Sequence, residues 1–259
     1  MRLTLFAAAL LLSAATQAQA QGFQAQVSPP RFEAGAKPGT VYREVIEISN
    51  PGQTPMRLTV STADWVLDEQ GSAQFSAPLA PGSCRPWTAI EATRIEVPPN
   101  GRKRFRFEVR VPADAAAQQC RFGLMFEGEP TLVEGMAMPV AGRIGVIVYL
   151  DIGDARADLR ILGSKVVEAG GQWLPALSVE NAGNAHGRLG GLVDATDAAG
   201  KRWTLGPSTV PILPGGRRDV TLIPMVAEGE TADIRYPLQI RGRLEWRDQR
   251  IDIDTRADR

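Results

Sequence analysis

The stretch Val41-Tyr42-Arg43-Glu44-Val45-Ile46-Glu47-Ile48-Ser49-Asn50-Pro51-Gly52 decides the fold class. Apolar residues stand at alternate positions apart from the doublet Val45-Ile46, and the run stops at Ser-Asn-Pro-Gly. Period-two alternation places one face of a β-strand on a core, and the Pro-Gly cluster turns the chain. Similar runs follow it. Met56-Arg57-Leu58-Thr59-Val60-Ser61 alternates, Arg94-Ile95-Glu96-Val97 leads into Pro98-Pro99-Asn100-Gly101, and residues 121–127 and 143–152 are further apolar runs. No segment keeps a helical period over several turns, and residues 113–119 are the one helix candidate, as a short connection. Many short strands punctuated by Gly, Pro and Asn predict an all-β sandwich.

The deciding stretch has a second copy. Ala176-Leu177-Ser178-Val179-Glu180-Asn181-Ala182-Gly183 again ends an alternating strand in Asn-x-Gly. Downstream, Val97-Pro98-Pro99-Asn100-Gly101-Arg102-Lys103 is matched by Ile212-Leu213-Pro214-Gly215-Gly216-Arg217-Arg218. Matching landmarks in matching order predict two tandem immunoglobulin-like β-sandwich domains. The boundary is placed after Gly153, giving domains at 21–153 and 154–259. Between the landmarks the first copy is roughly 16 residues longer by the repeat alignment, and the excess is assigned to residues 72–89, a Pro- and Gly-rich insert.

The ends set the expected compartment. Met1-Arg2, an apolar run over residues 3–15 and Ala18-Gln19-Ala20 read as a cleaved signal peptide of residues 1–20. The run is shorter than the roughly 20 residues of a membrane span. No cysteine follows the cleavage point, and the tail 251–259 is polar, so no membrane anchor is expected. Export puts Cys84 and Cys120, the two cysteines, into an oxidising compartment as one disulfide. That bridge would pin the insert, with Trp87 packed on it.

Composition excludes several functions. Lys plus Arg and Asp plus Glu are both 29, so no net field draws nucleic acid or an acidic membrane. The cluster Arg102-Lys103-Arg104 with Arg106 alternates with apolar residues as the solvated face of a strand. The single histidine, His186, sits in the turn Asn184-Ala185-His186-Gly187 and is expected to be solvent-exposed rather than a catalytic base. Asp151 with Asp154 lacks the dense acidic run and turn glycine of a calcium loop, and Asp252 with Asp254 reads as a solvated strand edge. Gly170-Gly171 and Gly190-Gly191 lack the Lys-Ser/Thr of a phosphate loop. No catalytic constellation, metal site or cofactor is expected. Trp65, Trp173, Trp203 and Trp246 are expected as core or half-buried strand aromatics.

The opening Val27-Ser28-Pro29-Pro30-Arg31-Phe32-Glu33-Ala34-Gly35, the strand ending Ile48-Ser49-Asn50, the Trp65 that follows and the strand Ala141-Gly142-Arg143-Ile144-Gly145-Val146-Ile147-Val148-Tyr149 resemble the PapD-like periplasmic pilus chaperones over about residues 27–152. The resemblance implies a periplasmic chaperone that assists pilus or other surface-fibre subunits by β-strand donation. Its partners would be a fibre subunit and the outer-membrane assembly platform. It also implies that Arg31 and Arg143 anchor a client carboxylate in a basic cleft, since guanidinium forks suit carboxylates. Leu132, Met136 and Met138 would be donor residues. Glu134-Gly135 and Pro139 interrupt that donor stretch, and the Cys84 insert is an addition to the family pattern. Read from the residues alone, Arg31 and Arg143 are equally strand-end surface arginines, and Leu132, Met136 and Met138 ordinary hairpin residues. The competing functional reading is an exported structural or adhesion-type module with no chaperone activity. A long exposed alternating strand within residues 132–149 favours the first, and a strand covered on both faces the second.

Overall fold

The computed structural model describes residues 23–132 and 137–259. Residues 1–20 of the expected signal peptide and Met136 lie outside the described residues. The protein is all-β, with two immunoglobulin-like domains in tandem. The helix candidate 113–119 forms turns instead, because Pro112 and the run of small residues around it give no apolar face to bury. The described helical structure is one 3₁₀ turn, Arg85–Trp87.

The first domain is built from β1 (Gln26–Ser28), β2 (Arg31–Ala36), β3 (Val41–Asn50), β4 (Met56–Leu67), β5 (Ala73–Ser76), β6 (Thr88–Ile90), β7 (Arg94–Val97), β8 (Gly101–Arg110), β9 (Gln119–Gly128) and β10 (Arg143–Ile152). One sheet runs β1-β3-β8-β6. The facing sheet runs β2-β10-β9-β4-β5, with β7 also on β4. The alternation read in the sequence supplies the core between them: Ile46 and Ile48 on β3 and Phe105, Phe107 and Val109 on β8 face Phe122, Leu124 and Phe126 on β9. Phe105 meets Phe126 edge to face at 5.5 Å. Each such ring contributes about 2–3 kcal/mol by leaving water. The arginines of β8 point outward as the alternation predicts, Arg102, Arg104, Arg106 and Arg110 being exposed, whereas Lys103 falls on the face of Phe105 and is half-buried.

The second domain comprises β11 (Leu159–Ala169), β12 (Gln172–Asn181), β13 (Val193–Thr196), β14 (Arg202–Pro207), β15 (Arg217–Pro224), β16 (Leu238–Trp246) and β17 (Gln249–Ala257), ordered β11-β12-β15-β14-β13-β16-β17. Its two layers share β15, whose first half pairs with β12 and whose last residues pair with β14. The outermost strands meet, Ser164 Oγ lying 2.7 Å from Thr255 Oγ1. Asp252 and Asp254 are solvated and pair across β16–β17 with Arg243 and Arg241. Trp65, Trp203 and Trp246 are buried. Trp173 is not in the core: it is 44 % exposed, with the Arg259 guanidinium 4.5 Å from its ring centre.

The repeat landmarks do the same work in both domains. Asn50 Nδ2 donates to the carbonyls of Thr54, Val97 and Pro98, while its Oδ1 accepts from the Gly52 N–H. Asn181 Nδ2 donates to the carbonyls of Ala185 and Ile212, and its Oδ1 accepts from Gly183 and Asp158. Each buried asparagine thus ties its own turn to the second landmark of its copy. It satisfies carbonyls that would otherwise be orphaned at the sandwich end.

The insert adds β5, the 3₁₀ turn and β6 to the first domain. Cys84 and Cys120 form a disulfide with a Cα–Cα distance of 5.6 Å, fixing the insert to β9. Trp87 packs partly buried on the first core, and its N–H donates to the Cys84 carbonyl. Beside the bridge, Arg85 donates to Asp64 Oδ2 at 3.1 Å and to the Thr62 carbonyl at 2.6 Å.

Candidate functional site

The two arginines proposed as anchors sit on one sheet but apart. β2 pairs with β10 in parallel, with Arg31 opposite Ile147, whereas Arg143 lies opposite Glu127 of β9. Four residues of β10 separate the two levels, about 13 Å along an extended strand. The structure therefore does not bring Arg31 and Arg143 together at one point. Arg143 is exposed at the start of β10. Arg31 lies nearer the second domain, half exposed, and its Nε is 2.7 Å from Glu33 Oε1.

The candidate donor residues precede β10. Thr131 and Val140 form an isolated antiparallel bridge between the end of β9 and the start of β10. Leu132 is 74 % and Met138 75 % exposed, and Val140 is exposed as well. Within β10, the side covered by β2 begins at Ile147. Among the described residues no strand pairs with that edge between Arg143 and Val146. The outer face of β10 is covered from Gly145 onward. The Phe75 ring lies over Gly123 and Gly145, where a Cβ would stand 2.6 Å from it, and Tyr149 is buried against Trp65. The described residues of the stretch thus present Leu132, Met138 and Val140 exposed beside the Thr131–Val140 bridge, then a short free edge, then a covered strand.

Where the domains meet, a polar cluster gathers that the sequence does not announce. His186 is 3 % exposed, contrary to the expectation of a solvated turn histidine, because the Asn-Gly turn carrying it is pressed onto the first domain. Its ring lies 3.9 Å from that of Tyr149. Gln119 Nε2 is 2.6 Å from Asp151 Oδ1 and 2.7 Å from His186 Nδ1, and Gln119 Oε1 accepts the His186 backbone N–H. Arg188 Nη1 is 2.7 Å from both His186 Nε2 and Glu33 Oε1. Arg247 pairs with Asp151. Both ring nitrogens of His186 face N–H donors, which leaves Glu33 Oε2, 3.5 Å from Nε2, as the acceptor for a ring proton.

Burial lowers the His186 pKa, an effect that the neighbouring Glu33 only partly offsets. Glu33 is held down to about 2 by its hydrogen bond to His186, against the opposing effect of burial and with help from Arg188 and Arg31. A second contact between the domains runs from Arg218 to the carbonyls of Asp68 and Glu69 at 2.7 and 3.0 Å. Each of these groups is ordinary in sequence; register across β2, β10 and β9 and the docking of the second domain assemble them.

No family model and no curated protein matches this chain. Solved structures do. A chaperone–tip adhesin complex of CFA/I fimbriae overlays with a TM-score of 0.50 at 9% identity, over 90% of this chain and 99% of that one. The chain has the fold of a pilus chaperone. The YadV chaperone matches with a TM-score of 0.48 at 10% identity, over 90% of this chain and 100% of its own. The CsuC–CsuE chaperone–tip adhesion subunit pre-assembly complex of Acinetobacter baumannii matches at 0.46 and 10%, over 92% and 100%. In this chain the disulfide-pinned insert faces the turns of the second domain at Gly183, Asn184, Pro214 and Gly215.

Proposed function

We propose that this protein is a periplasmic chaperone for a pilus or surface-fibre subunit, exported by residues 1–20. The observation that carries the reading is the exposed Leu132, Met138 and Val140 just ahead of the free edge Arg143–Val146 of β10. Exposed apolar side chains beside unpaired backbone groups suit an incoming strand: main-chain bonds supply affinity and side-chain pockets supply specificity. Arg31, near the second domain, is the anchor for a client carboxylate. Arg143, further back on β10, contacts the client elsewhere along the strand. Glu33 is the carboxylate that Arg31 holds without a client, so an arriving carboxylate exchanges with it.

The test is affinity capture of the tagged mature protein from periplasmic extract. The wild type should retain a small β-rich subunit. The double variant Leu132→Asp/Met138→Asp should lose it, and Arg31→Ala should retain at most a tenth. Capture that ignores all three changes, or no capture by the wild type, leaves the exported structural or adhesion-type module as the better reading.

A further inference from the structure

Between the disulfide-pinned insert and the turns of the second domain lies an open cavity of about 790 Å³. One of its walls carries a cation that forms no ion pair among the described residues. Arg121, on β9 opposite Tyr149, is half-buried, and among the described residues it makes no hydrogen bond and no ion pair. Its guanidinium carbon stands 5.9 Å from the centre of the Trp65 ring. Of the other arginines at the domain junction, Arg31 and Arg188 share Glu33, Arg247 pairs with Asp151 and Arg85 with Asp64, while Arg218 donates to the Asp68 and Glu69 carbonyls. A half-buried guanidinium facing an open cavity without an ion pair is free to take an anion from a ligand. Trp65 lines the same cavity, and its buried Nε1–H also has no acceptor.

The geometry points to a binding site for a hydroxylated monocarboxylate, such as a sugar acid, with its carboxylate on Arg121. The charge balance favours a monoanion. Asp64, on the same wall, is already neutralised by Arg85, so one uncompensated positive charge remains. The other polar side chains of the lining are amides and hydroxyls, among them Gln74, Ser76, Gln118 and Asn184, which suit ligand hydroxyls and would not neutralise a second charge. The planar guanidinium fork suits the two carboxylate oxygens. This site is independent of client capture: it lies on the insert side of β9, and Leu132, Met138 and the free edge of β10 take no part in it.

The test is a titration of the full mature protein with D-glucuronate, read on the Trp65 indole N–H resonance assigned through Trp65→Phe. The expected result is a saturable shift. Glucose, and chloride at equal ionic strength, should give none, and phosphate should bind more weakly. Arg121→Gln should weaken glucuronate binding at least tenfold, while Arg31→Gln leaves it unchanged. Arg121→Lys, which keeps the charge and loses the fork, should bind weakly and serves if the glutamine variant does not fold. The inference is overturned by no shift in the wild type, by an equal shift with chloride, by tighter binding of phosphate, or by undiminished binding in both Arg121 variants.

Discussion

At the scale of single residues, two positions carry sharp expectations. The Asp64 and Arg85 side chains are 12 % and 14 % exposed. Burial raises the Asp64 pKa, but hydrogen bonds from Ser83, the Ala80 N–H and Arg85 outweigh it and hold the carboxyl below its usual range. Removing one member of such a pair strands the other charge. Arg85→Ala should therefore cost about 3 kcal/mol in urea unfolding, whereas an exposed pair such as Arg102–Glu47 should cost under about 1 kcal/mol. Gly183 is the second position. A Cβ there would stand 2.3 Å from the Arg156 carbonyl oxygen and 2.5 Å from the Asp158 nitrogen, both backbone atoms that cannot rotate away. Gly183→Ala should destabilise the second domain by about 1–3 kcal/mol. Gly163→Ala, which meets nothing within 4 Å, is the matched control. The Asn-x-Gly landmark was legible as a repeat because turn chemistry is local. That its asparagine is a buried staple was not, since the acceptors that tie it to the second landmark lie 31 to 48 residues away.

At the scale of elements, the strands could be read because alternation against a two-layer core is written into each segment separately. Their partners could not. The parallel pairing of β2 with β10, which sets Arg31 opposite Ile147 rather than near Arg143, depends on how the chain enters the sheet at residues 29–31. The insert behaves as a separable element. It is held by the bridge across a sequence separation of 36 residues, by Arg85 and by the β4–β5 pairing. Opening a loop of that length should cost about 4 kcal/mol in the chain-entropy model. The double variant Cys84→Ala/Cys120→Ala should lower first-domain stability by about 2–4 kcal/mol in urea unfolding. Hydrogen exchange should rise in β5 and β6 before it rises in β8. Equal protection of the insert in the variant would mean that Arg85 and the strand pairing hold it unaided.

At the scale of the whole molecule, the two domains are joined through groups that titrate, so their contact depends on pH. His186 faces Glu33 and Arg188, and its other ring nitrogen faces Gln119, which is bonded to Asp151. Burial depresses the His186 pKa, so its neutral form is favoured by folding. That contribution is complete above the ordinary value of 6.5 and is lost as pH falls below it. Glu33 is depressed from 4.5 to about 2, so its contribution is complete above pH 4.5 and disappears toward pH 2. Both groups act in the same direction. Acidification should loosen the domain contact in two stages, the first below pH 6.5 and the second below 4.5. Hydrogen exchange of the turn 182–188 and the radius of gyration in solution should report both.

Glu33→Gln should abolish the lower stage. It should also weaken the contact at neutral pH by about 1 kcal/mol, a small cost because the carboxylate is about a third exposed. His186→Asn should abolish the upper stage and shrink the lower, because the hydrogen bond from His186 is the main cause of the low Glu33 pKa. If client capture uses Arg31, Glu33→Gln should also speed capture at neutral pH, because Arg31 then has no internal carboxylate to release. Unchanged capture in that variant would show that the Arg31–Glu33 pair belongs to the domain joint and not to the client site.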